Sequence, residues 1–201
     1  MHGWVMKLMG IRLRRCGFAP VVFSYPSMRQ SLSQNASVLS RFVAEIPARR
    51  LHFFGHSLGG LLILKMLTQF PEQRIGRVIL AGSPYNASCI AKKISLRRAG
   101  RYILGRSMLQ WLNQAEAPIY DKRYELGVIA GDRSVGGGRL IARLPYPNDG
   151  VVTVEETRIP GASDEILLNI SHSEMLLSSE LARQACSFLR NGHFMHNSKP
   201  P

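Results

Sequence analysis

Acid is scarce in the first half of this chain. Residues 1–115 hold two acidic residues, Glu45 and Glu72, against 17 lysines and arginines, a local net of +15. Residues 116–201 hold 11 acids and 9 bases, so the whole carries +13. Such a bias raises nucleic acid, anionic membrane and acidic substrates as partner classes. Aromatics near the basic residues are sparse and no nucleic-acid-binding motif occurs, which argues against nucleic acid. Cysteine is nearly absent. Cys16, Cys89 and Cys186 are too few and too scattered for a disulfide framework or a zinc site, so three free thiols in a reducing, cytoplasmic setting are expected. No apolar run reaches the ~18 residues of a membrane span, and the most apolar stretch, 58–67, is interrupted by Lys65. Residues 1–10 lack the basic start, apolar run and small-residue cleavage site of a signal peptide. Internal repeats and low-complexity tracts are also missing.

What is present is an ordinary globular composition. The 201 residues are 45% hydrophobic and 19% charged, enough for one domain with a sizeable core. Short β-branched or apolar runs alternate with longer helical ones. Strands are expected at 21–25, 51–54, 77–81, 126–130 and 166–170. Helices are expected at 4–16, 29–46, 58–70, 88–114 and 174–189, with loop over most of 132–163. This alternation predicts a mostly parallel sheet with helices on both faces. Residues 1–190 make one α/β domain on this reading, with a basic helical cap at 85–115 and a flexible tail at 191–201. Ligands on such sheets sit at the carboxyl ends of the strands, so chemistry is sought just after each one.

Gly55-His56-Ser57-Leu58-Gly59 follows the second expected strand and opens a long apolar helix. Gly-x-Ser-x-Gly is weak as a bare match. Between a strand and a helix it is a nucleophile elbow, a sharp turn that exposes the serine hydroxyl at a helix N-terminus. Small residues two before and two after the serine let strand and helix approach. A serine hydroxyl needs a base to take its proton and an acid to orient that base. In elbow folds both follow the serine in sequence. Of the later histidines, His172 lies directly after a strand and before a helix, whereas His193 and His196 lie in the polar tail. His52 is inside a strand and His56 is the variable residue of the elbow. Two carboxylates are placed to orient His172. Asp132 follows the fourth expected strand, and Asp149 sits in Asn148-Asp149-Gly150 with an apolar run behind it. An oxyanion hole needs two backbone N–H groups. Leu58, after the nucleophile, supplies one; His2-Gly3-Trp4 is the candidate loop for the other.

With these residues assembled, the chain resembles the α/β-hydrolase superfamily, in particular small bacterial lipase- and esterase-like members related to class 2 lipases and the GPI inositol-deacylase-like group. The likeness rests on His2-Gly3-Trp4, Phe23-Ser24-Tyr25-Pro26-Ser27, Phe54-Gly55-His56-Ser57-Leu58-Gly59-Gly60, Gly82-Ser83-Pro84, Asn148-Asp149-Gly150-Val151-Val152 and Ser171-His172-Ser173, and spans about residues 2–190. It implies an α/β-hydrolase fold and moves the acid to Asp149. It carries over Ser57 as nucleophile, His172 as base, and the Leu58 and Trp4 amides as oxyanion donors, in an esterase- or lipase-like enzyme of carboxylic esters without metal or cofactor. The same triad serves thioesterases and acyltransferases, and a non-catalytic binding protein is the rival from another class.

One departure stands out. In the family a buried strand runs into the His-Gly loop and lies between the strands expected here at 21–25 and 51–54, yet only Met1 precedes His2. The sheet is therefore expected to have an interior gap, filled by a Val/Ile/Leu-rich strand encoded upstream and ending at His2. The cap, 85–115, interleaves Lys92, Lys93, Arg97, Arg98, Arg101 and Arg106 with apolar residues. Its stretch 88–112 suggests peripheral contact with anionic lipid, at the inner membrane, as an alternative to a solvated cap face.

Overall fold

The computed structural model describes residues 6–86, 89–96, 98–114, 122–135 and 144–196. Among them four strands form one parallel sheet in chain order: β1 (Leu51–His56), β2 (Ile75–Ala81), β3 (Glu125–Gly131) and β4 (Asp164–Leu168). The helices are α1 (Lys7–Arg15), α2 (Leu32–Ala44), α3 (Leu58–Gln69), α4 (Cys89–Ser95), α5 (Arg98–Leu112), α6 (Val154–Thr157) and α7 (Ser179–Asn191). A strand is apolar where both of its faces are covered, and β2 meets that demand over its buried half, residues 78–81. Val78 and Leu80 point into a core built by α2, α3 and Trp111 of α5. Ile79 and Ala81 point the other way, into a core built by Met9 and Leu13 of α1 and by Ala185 and Phe188 of α7. Local signals set the helix starts. Ser31 and Gln34 form a reciprocal capping box at α2, and the Ser178 hydroxyl accepts the Leu181 N–H at α7.

Several expectations need correction. Residues 21–25 do not form a strand. The chain is extended there but joins no ladder, because a strand exists only through a neighbour and β1 lies across a cavity of about 520 Å³. The last strand ends at Leu168, two residues earlier than expected, and residues 174–189 form a short 3₁₀ turn (Glu174–Leu176) before α7. The expected helix over 88–114 is two helices, and α5 is itself broken at Gly105 (φ 72°). A Cβ at Gly105 would lie 2.7 Å from the Met28 Cα, and the next two N–H groups, of Arg106 and Ser107, donate to the Met28 and Ser27 carbonyls instead of continuing the helix. The tail is not loose from 191. Gly192 (φ 84°) ends α7, and Phe194 then packs on Phe188 with 2% of its surface exposed.

The free-thiol reading also fails. Cys16 and Cys186 form a disulfide that ties the end of α1 to the middle of α7 across 170 positions. Closing a loop that long restricts the unfolded chain by about 5 kcal/mol on the chain-entropy account. The ground for a reducing compartment goes with the free thiols. No helix among the described residues is long and apolar enough to cross a membrane.

Candidate active site

The carboxyl ends of the strands converge on Ser57. β1 delivers it with φ 54° and ψ −127°, the one non-glycine residue at positive φ among those described. Such a backbone costs on the order of 1–3 kcal/mol and persists only where its surroundings enforce it. Here the Ser57 N–H donates to the Ala81 carbonyl at 2.9 Å, and the Ser57 carbonyl accepts the Gly60 N–H at 3.1 Å. Close packing of strand and helix completes the turn. A Cβ on Gly55 would lie 2.5 Å from the Gly60 Cα, and one on Gly60 would lie 3.0 Å from the Ser83 Cβ. Gly59, by contrast, has open space where a Cβ would go. The close approach expected of the second motif glycine thus belongs to the residue after it. Ser57 caps α3, so the Leu58 N–H lies in the first turn, where helical amides lack intrahelical acceptors.

Asp149 and His172 meet beside this turn, with Asp149 Oδ2 2.7 Å from His172 Nδ1. Asp149 is 1% exposed, and a buried carboxylate must be satisfied throughout. Its Oδ1 accepts the N–H groups of Val151 at 2.9 Å and Val152 at 2.7 Å, and its backbone carbonyl accepts the His172 N–H at 2.9 Å. Asn148 holds the same turn, accepting the Gly150 N–H and donating to the Pro145 carbonyl. Because a carboxylate only accepts, Nδ1 of His172 carries the proton and Nε2 keeps the lone pair of a base. Asp132, the competing acid, instead accepts from the Asn169 amide at 2.8 Å. Of the other expected site residues, Trp4 lies outside the described residues. His193 and His196 lie away from the site, His196 pairing with Asp164 on the far strand.

Two supports escaped the sequence reading. His56 is buried, its ring centroid 4.6 Å from that of His172, and its Nε2 donates to the His172 carbonyl at 3.1 Å. Burial, with a smaller push from His172, drives its imidazole from the ordinary 6.5 down to about 3. Glu174 Oε2 accepts both the N–H and the hydroxyl of Ser171, and Arg133 pairs with its other oxygen. Ser171-x-x-Glu174 has capping-box spacing, so this anchor was readable in the sequence. The His56 role was not, since it needs a contact 116 positions away.

The profile described as the alpha/beta hydrolase family matches residues 1–200. Among solved structures, the mature lipase BlEst2 of Bacillus licheniformis superposes with a TM-score of 0.63 at 18% identity, over 84% of this chain and 76% of that one. The esterase EaEST of Exiguobacterium antarcticum gives 0.60 at 13% identity, over 95% and 90%. A bromoperoxidase of Bacillus anthracis gives 0.58 at 14% identity, over 94% and 90%. At such identities the likeness is one of fold, and the chemistry has to be argued from the residues.

Proposed function

Because this chain belongs to the alpha/beta hydrolase family, we propose that it is a serine hydrolase of carboxylic esters, with Ser57 as nucleophile, His172 as base and Asp149 as the acid that orients it. The observation that carries the reading is the buried Asp149, 2.7 Å from His172 and beside a serine held at positive φ on a helix N-terminus. His172 Nε2 takes the Ser57 proton as the hydroxyl oxygen attacks the acyl carbon. Asp149 stabilises the imidazolium and keeps its tautomer. The developing oxyanion accepts from the Leu58 N–H, with the Trp4 N–H as the proposed second donor. His172 then returns the proton to the leaving alcohol, and water releases the acid by the same steps. Deep burial keeps His56 neutral, so it adds no competing positive charge beside the base.

Substrate approach is proposed from the cap side. Leu96 stands 85% exposed after Lys92 and Lys93, which supports a lipid-facing cap and an ester with an apolar acyl group. Trp111 takes no part in such a face, since it is buried and donates to the Pro84 carbonyl. The test is hydrolysis of p-nitrophenyl acetate, butyrate and octanoate by the full chain and by Ser57→Ala. Turnover that disappears in the variant supports the reading; equal turnover in both overturns it.

A further inference from the structure

β3 and β4 end side by side, Gly131 opposite Leu168, and the turns that leave them are stitched together. The Asp132 N–H donates to the Leu168 carbonyl at 3.1 Å, the Arg133 N–H to the Ile170 carbonyl at 3.4 Å, and the Asn169 amide to Asp132. The second of these turns carries His172. Glu174 closes it: Oε2 accepts the Ser171 N–H at 2.9 Å and the Ser171 hydroxyl at 2.7 Å, and the other oxygen is ion-paired with Arg133. Helix capping does not account for this carboxylate. The 3₁₀ turn Glu174–Leu176 has Ser173 at its N-cap, and the Ser171 hydroxyl donates to Glu174, the reverse of what a capping hydroxyl does. Ser171 is buried, so its two donors depend on Glu174 and not on water. The peptide joining Ser171 to His172 is fixed as well. Its carbonyl accepts the Met175 N–H at 3.1 Å and its N–H donates to the Asp149 carbonyl at 2.9 Å. Beneath the pair there is no slack. A Cβ on Gly82, just after β2, would lie 3.1 Å from His172 Nδ1 and 3.2 Å from Asp149 Oδ2. The imidazole therefore cannot settle deeper, and the turn that carries it sets its place against Asp149.

We propose that Glu174, clamped by Arg133, is a positioning residue for His172, an inference that rests on the serine-hydrolase reading above. It acts through Ser171 and not on the substrate. One carboxylate oxygen takes both Ser171 donors, in the charge-assisted bonds that a carboxylate makes best. The other is held by a residue of the neighbouring strand's turn, so the base is bolted to β3 as well as to β4. The side chains of Arg133 and Glu174 are 46% and 38% exposed, and an ion pair that open adds little to folding stability. Its consequence lies in geometry. Losing the clamp lets the peptide before His172 turn, which lengthens the bond from Nδ1 to Asp149 while the core beneath stays packed. A residue that only stabilises the fold has the opposite signature, a lower thermal midpoint with turnover kept.

The test measures kcat, KM and thermal midpoint with p-nitrophenyl butyrate for the full chain and for Glu174→Ala, Glu174→Gln and Arg133→Met. Glu180→Ala is the control, since it breaks an exposed glutamate–arginine pair on α7. Glu174→Ala is expected to lower kcat by up to ~10², the cost of misplacing a catalytic group by about 1 Å, with KM little changed. Glu174→Gln keeps an acceptor for both Ser171 donors but loses Arg133. It and Arg133→Met are each expected to lose about fivefold in kcat, and the two together no more than either alone. A second readout needs no turnover. In Ser57→Ala, the far-downfield proton of the Nδ1–H to Asp149 bond is expected in the NMR spectrum, lost when Glu174→Ala is added and kept when Glu180→Ala is added. Wild-type kcat in Glu174→Ala overturns the proposal, as does a fall in its midpoint with kcat kept, or a proton signal that survives. If Glu174→Ala does not fold, wild-type kcat in both Glu174→Gln and Arg133→Met overturns it. Turnover that persists in full in Ser57→Ala defeats the hydrolase reading instead, and the proton signal still decides whether Glu174 positions His172.

Discussion

The two sides of Ser57 are finished to different degrees. Toward β3 and β4, every polar atom of the Asp149 carboxylate has a partner, the loop carrying His172 is anchored through Ser171 to Glu174, and Asp149 is shielded from water. Toward the outer edge of β1, three residues turn backbone groups into an apolar cavity, and His56 keeps one ring nitrogen unmet. The difference teaches how a carboxylate–imidazole pair can be fully hydrogen-bonded while the sheet edge on the other side of Ser57 stays unpaired among the described residues. The dyad depends on β3, β4 and the turn at 148–152.

The sharpest way to break this comparison is to damage the finished side. Asp149→Asn leaves the shape of the pair but removes its charge and favours the wrong His172 tautomer; kcat for p-nitrophenyl butyrate is expected to fall by up to ~10⁴, as in the serine-protease precedent for this substitution. Asp132→Asn, outside the pair, is expected to stay within a few-fold. The reverse ranking in two folded variants would transfer the role to Asp132.

A smaller effect separates the two glycines after the serine. Gly60→Ala presses a methyl group onto Ser83 and is expected to cost about 1–3 kcal/mol in urea unfolding. Gly59→Ala meets open space within a helix and is expected to be neutral or stabilising, by up to about 1 kcal/mol. Equal losses at both positions would contradict the packing of the elbow.

The smallest effect reads the junction between the two sides. His56 protonates near 6.5 in the unfolded chain but only near 3 in the folded one. Between those values the unfolded state binds the extra proton, so stability falls as pH falls. This one residue contributes up to about 1.4 kcal/mol per pH unit and nothing above 6.5. His56→Phe is expected to flatten the slope of unfolding free energy between pH 6.5 and 4 by a measurable part of that amount. An unchanged slope would mean that the ring titrates normally.

What was legible in the sequence was whatever is decided locally. The elbow is written in seven consecutive residues, and β2 and β3 in the apolar runs 78–81 and 126–130. The order of Ser57, Asp149 and His172 narrowed the search for partners, and Asn148-Asp149-Gly150 announced a turn. What was not legible depends on distant partners. The Cys16–Cys186 bond joins residues 170 apart that no spacing rule connects. Residues 21–25 have strand composition but lack the neighbour that makes a strand. Phe194 sits among tail-like residues and is held by the stacking of Phe188. The motif spacing singles out Gly59, whereas helix geometry turns Gly60 toward Gly55 and Ser83.

The central claim is that Ser57 is a nucleophile activated by the Asp149–His172 pair. The most direct measurement is labelling of the full chain with a fluorophosphonate, followed by peptide mapping. The account predicts a single adduct on Ser57, lost in Ser57→Ala and strongly slowed in His172→Ala. An adduct on another serine, or labelling that persists at full extent in Ser57→Ala, would contradict it.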